Sequence, residues 1–154
     1  MSTSSLIMMI AFLFLVGWLV AYFFIRQILY NFFIALPMIK SSRVNAVLME
    51  NQVFDQATVG IFPKEEKYEK YLLALLNSSV MNEILHILNP TANNSAGYIR
   101  MLPVAIPSEK MLRKISSLTE KAICSAREGR REETDRLRKK LDELIGEIYW
   151  DSVY

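Results

Sequence analysis

Residues 89–104 read Asn-Pro-Thr-Ala-Asn-Asn-Ser-Ala-Gly-Tyr-Ile-Arg-Met-Leu-Pro-Val, and this run sets the elements on both sides of it. The residue before a proline is pushed out of the α region, so a helix running up to Asn89-Pro90 must stop there. The polar residues 91–95 then read as an exposed loop, with Gly97 as a turn or a close backbone approach. Residues 98–106 are apolar enough for a strand that Pro107 closes, and Ser108 is an N-cap for a following helix with Glu109 favourable in its first turn. Working upstream, Tyr68, Tyr71, Leu72, Leu75 and Leu76 recur at helical spacing, which predicts a helix to about Asn77 and a second from Ser78 or Ser79 through Leu88. Further upstream, residues 44–62 carry β-branched and aromatic residues broken by polar pairs, the pattern of two short strands. Downstream, Met111, Leu112, Ile115, Leu118, Ala122 and Ile123 share one helical face to about Arg127, and Gly129 breaks the helix. Leu137, Leu141, Leu144, Ile145 and Ile148 line a second helix, and the two predict an antiparallel hairpin.

The same run closely resembles the Asn-Pro-Thr-x-Asn-x-x-x-Gly-x-Ile-x-x-Leu-Pro segment in the C-terminal specificity region of large adenine-specific DNA methyltransferases, the type IIG and phage-exclusion class with a Taq-type specificity domain. Its neighbours resemble that family too: Val53-Phe54-Asp55 before Gly60-Ile61-Phe62-Pro63, then Leu75-Leu76-Asn77-Ser78, and Leu141-Asp142-Glu143-Leu144-Ile145 with Ile148-Tyr149. The resemblance covers about residues 41–150. It implies a DNA target-recognition role, DNA as partner, and a separate methyltransferase catalytic subunit.

The family's chemistry resides elsewhere. Its members use a Gly-rich turn for S-adenosylmethionine and an Asn-Pro-Pro-Tyr or Asn-Pro-Pro-Phe loop for the flipped adenine, and neither occurs here. The five glycines are scattered, so they build no cofactor-cradling loop. Asn89-Pro90-Thr91 lacks the second proline and the stacking aromatic. The implied protein is a non-catalytic fragment, the product of a split or remnant gene, with no cofactor of its own and no enzyme activity alone. A small single-pass membrane protein with a cytoplasmic interaction domain is the alternative.

That alternative comes from the N-terminus. Residues 6–25 are twenty consecutive uncharged, mostly apolar residues, enough at about 1.5 Å each to cross a hydrocarbon core of roughly 30 Å. Arg26, Lys40 and Arg43 follow the run while no charged side chain precedes it, which places the C-terminal part in the cytoplasm of a single-pass cell-membrane protein. If the leader is an artefact of a misread frame, the whole protein is cytoplasmic. Residues 28–39 are too short to span and read as an interfacial continuation stopping near Pro37. The predicted fold is thus α+β: one N-terminal transmembrane helix within residues 1–40, a small partial specificity domain with short strands over 41–107, and a C-terminal helical hairpin over 108–154.

Candidate DNA contacts are Asn89, Thr91, Asn93, Asn94 and Arg100 in the central run, and Arg130 and Arg131 at the hairpin. Asparagine amides pair with adenine edges or bond to phosphates, whereas the structural alternative has Asn93 and Asn94 making Asx turns. Arginines and lysines from Arg127 to Lys140 suit a phosphate backbone, but Glu128, Glu132, Glu133 and Asp135 are interleaved with them, the pattern of a solvated face. The formal charge of +2 adds little pull toward nucleic acid. His86 sits in an apolar helical context as a structural histidine, and Cys124 reads as a small buried hydrophobe. One cysteine excludes an intramolecular disulfide and a multi-cysteine zinc site.

Overall fold

The structure, a computed structural model, describes residues 8, 9, 11–19, 32–39, 43–50, 52, 57–91 and 93–151. Its sheet has three antiparallel strands: β1 (Phe32–Pro37), β2 (Val47–Glu50) and β3 (Thr58–Ile61), in the order β2-β1-β3. Ala35 therefore sits opposite Val47 on one side and Gly60 on the other. Being central, β1 is apolar throughout: Phe33, Ile34, Ala35 and Leu36 are all buried. Pro37, which has no N–H for a ladder, falls at the strand's last position. Phe33 stacks on Phe62 with ring centroids 5.5 Å apart.

A 3-10 turn (Glu66–Tyr68) leads into α1 (Glu69–Leu76), followed by α2 (Ser79–Leu88), the short α3 (Ala96–Arg100), and the hairpin α4 (Glu109–Arg127) and α5 (Arg131–Asp151). Helix α1 packs against β1 and against both hairpin helices, which is why Tyr71, Leu73, Ala74, Leu75 and Leu76 are all buried in eight residues. The hairpin closes through a left-handed glycine: Gly129 has φ 73° and donates to the Ala126 carbonyl, while Arg130 donates to that of Ser125. One core joins β1 (Ile34, Leu36), α1 (Leu75), α2 (Met81, Leu85), α4 (Leu112, Ile115) and α5 (Leu141, Leu144, Ile145).

Between α1 and α2 the chain bends by 73°, and polar side chains fix the corner. Asn77 accepts from the Ala46 amide at 3.0 Å and donates to the carbonyls of Ala46 and Leu73 at 2.9 Å. Ser78 caps α2 by accepting from the Met81 amide at 3.2 Å. Asn82 accepts from the Val44 amide at 2.7 Å. The Leu-Leu-Asn-Ser sequence is thus a corner that stitches the approach to β2 onto two helices.

Three expectations are corrected. Among the described residues no single helix is long and apolar enough to cross a membrane, which overturns the fold led by a transmembrane helix over residues 6–25. Residues 6, 7, 10 and 20–25 of that span lie outside the described residues, as do Arg26, Lys40 and Val53-Phe54-Asp55. A bent pair, Glu66–Leu76 with Ser79–Leu88, is together long and apolar enough to span, yet both members contribute to the protein core. Second, the interfacial segment expected over 28–39 contains the central strand β1: a short apolar run with a partner on each side is a buried strand. Third, residues 98–106 form no strand. Part of this segment is α3, and its extended remainder bonds to tyrosine hydroxyls in place of a ladder: Tyr71 donates to the Ala105 carbonyl, and Tyr149 donates to that of Pro103 at 2.6 Å. The architecture is a helix-rich mixed fold around a small antiparallel sheet.

Candidate nucleic-acid interface

The Asn89 side chain organises the loop after α2. Its Oδ1 accepts from the Thr91 amide at 3.0 Å and the Thr91 hydroxyl at 2.6 Å, and its Nδ2 donates to the Asn93 carbonyl at 2.9 Å and to Asn94 Oδ1 at 3.3 Å. The Asn94 amide donates to the Met38 carbonyl at 2.6 Å, and Asn93 bridges Ile39. The loop is therefore docked on the chain leaving β1. Asn89 and Asn94 are 0% and 1% exposed, so their side chains face inward, and the Asx turn belongs to Asn89. Of the five sequence candidates here, Thr91, Asn93 and Arg100 are exposed, with Arg100 at the end of α3.

Arg130 and Arg131 form a separate group at the hairpin turn. Arg130 Nη2 and Nη1 lie 2.6 Å from Glu128 and Glu133 carboxylates, respectively. Its carbonyl accepts from Ser125 Oγ at 3.1 Å and Thr134 Oγ1 at 2.8 Å, which ties the two helices together. Arg131 is exposed at the first position of α5. The Arg130 guanidinium is thus engaged by acids, as interleaved charges suggest.

A groove of about 600 Å³ lies between β2 with its approach, the end of α1, and the hairpin. Its lining includes Ala46, Ala74, Ala122 and Ala126, whose small side chains leave the space open, and four cations: Arg43, Arg127, Arg138 and Lys139. Arg43 donates to the Asn77 carbonyl at 3.2 Å, and Arg127 lies 2.6 Å from Glu50. Asp142 accepts from the Ser79 amide and hydroxyl at 2.7 and 2.8 Å, and so is turned to the start of α2. Among the described residues Arg138 and Lys139 have no ion pair. Sequence reasoning missed Arg43 and Asn45 as members of this site and left Arg138 and Lys139 on a solvated face. No local motif marks a groove assembled from distant segments.

Burial pushes the Tyr71 hydroxyl above its ordinary pKa, with Tyr149 adding to the effect, and burial raises Tyr149 as well. Both therefore hold the 103–105 segment as neutral donors. Cys124 is exposed, a correction to its expected burial. The inward face of α4 runs through Leu112, Ile115, Thr119 and Ala122, and position 124 is rotated away from it. His86 is exposed on α2. Among the described residues no group of three or more His, Cys, Asp or Glu could hold a metal ion. No protein-family model matches the chain, and no curated protein matches it.

Proposed function

We propose that this chain is a non-catalytic part of the target-recognition region of an adenine-specific DNA methyltransferase, acting on DNA together with a catalytic subunit carried by another chain. The observation that carries the proposal is the loop over residues 89–95, whose sequence resembles the family's specificity segment and whose two buried asparagines brace an exposed Asn93. A braced loop presents polar side chains to a partner with little ordering cost on binding. Asn93 has the donor and acceptor needed at an adenine edge, and Arg100 has the charge for a phosphate.

The test is binding to a randomised duplex library followed by sequencing of the retained DNA, comparing the full chain with Asn93→Ala. Enrichment of a preferred sequence that Asn93→Ala relaxes supports the reading. An unenriched library, or a preference identical in the variant, removes the loop from recognition. Asn93→Ala is the suitable substitution because Asn94 is buried and replacing it would disturb the loop itself.

A further inference from the structure

We infer that the groove between β2, the end of α1 and the α4–α5 hairpin seats the sugar–phosphate backbone of DNA. This inference rests on the recognition reading above and adds a contact surface remote in sequence from the 89–95 loop. Cations converge on the groove from three elements: Arg43 precedes β2, Arg127 ends α4, and Arg138 and Lys139 lie on α5. Among the described residues two carboxylates, Asp135 and Asp142, line the same space, and Glu50 pairs with Arg127 at 2.6 Å. Asp142 is engaged by two donors from Ser79 at the positive end of α2, so its charge is already compensated. Asp135 stands three and four residues before Arg138 and Lys139, which places the cations beside it on one helical face.

What singles out this surface is charge left without an internal partner next to open volume. Arg130 carries two acid contacts, whereas Arg138 and Lys139 have no ion pair among the described residues. An arginine fork and a lysine ammonium suit phosphate oxygens. The exposed Asn45 amide adds a neutral donor. The alanine floor leaves depth for a sugar or phosphate to approach the backbone, and Arg43, which donates to the Asn77 carbonyl, borders the same space.

The experiment measures fluorescence-anisotropy binding of the full chain to a short DNA duplex across a salt series. Three variants are compared with it: the double substitution Arg138→Gln with Lys139→Gln, the charge-neutral block Ala126→Phe, and a control, Lys110→Gln with Lys114→Gln, on α4 outside the groove. Circular dichroism establishes that each remains folded. Loss of two phosphate contacts should flatten the slope of log K against log salt by about 1.8. Ala126→Phe should weaken binding at every salt concentration, and the control should keep the parent slope. If the duplex binds but the groove double variant keeps the parent slope, the groove assignment is overturned while the recognition reading stands. If the intact chain binds no duplex even at about 50 mM salt, both are overturned.

Discussion

Asn89 makes the largest structural contribution of any polar side chain in the loop, because its single amide satisfies an amide, a hydroxyl and a carbonyl at once. Replacement by alanine strands the Asn94 Oδ1 acceptor at a site 1% exposed while the exposed Thr91 and Asn93 turn to water, and the expected loss is about 1–3 kcal/mol, the cost of one buried polar group left unpaired. Urea denaturation measures it directly, and a loss below about 0.5 kcal/mol would mean water replaces the amide without penalty. Gly129 gives a second prediction at this scale. Its φ of 73° is strained for any side chain, although a Cβ there would meet nothing within 4 Å. Gly129→Ala should therefore cost about 1 kcal/mol from backbone conformation alone, while Gly146→Ala, at an unobstructed position inside α5, should be stabilising by several tenths of a kcal/mol to about 1.

At the scale of elements, the segment joining α3 to α4 depends on two tyrosines from different helices, and this makes its stability sensitive to alkali. Both hydroxyls have pKa values raised above the ordinary 10.0 in the folded chain, chiefly by burial. Above about pH 10 the unfolded chain therefore ionises first and holds fewer protons, so stability is fully present below pH 10 and falls as pH rises toward the folded values. The urea midpoint should drop from about pH 10 upward, and Tyr71→Phe should lower it at neutral pH while making the alkaline fall shallower. An equal alkaline fall in Tyr71→Phe would assign the sensitivity to other groups. The tyrosines also show where sequence reading stopped. The α1 and α2 pattern, the Ser108 cap and the Gly129 break were legible because each follows from local spacing or backbone chemistry, as Ser108 Oγ accepting from the Met111 amide illustrates. Residues 98–106 misled because an apolar composition alone does not distinguish a strand from a segment pinned by distant hydroxyls. Residues 32–37 misled because their partners, β2 and β3, are distant, and only pairing reveals a central strand. In the candidate site, the polar loop was legible but the inward direction of Asn89 and Asn94 was not, since burial depends on where β1 ends. The groove was invisible because its walls come from four segments.

Across the whole molecule the core joins the sheet, the corner helices and the hairpin. Ile34 and Leu36 of β1 belong to the same buried cluster as Leu112, Ile115, Leu144 and Ile145 of the hairpin, with α1 between them. A chain cut at 107 would expose the inner face of α1, and residues 41–107 would also lack β1, the strand that both other strands pair with. Such a segment should remain unfolded, which amide dispersion in a proton–nitrogen spectrum would establish. A point substitution tests the same unity without removing an element. Ile145→Ala empties a fully buried site on α5 and should cost about 2–5 kcal/mol. If the sheet and hairpin open as one cooperative unit, native-state hydrogen exchange should accelerate by a common factor at the most protected amides of β1 and α5. Acceleration confined to α4 and α5 would instead make the hairpin an independent folding unit, because α1 would then be holding the sheet in place without it.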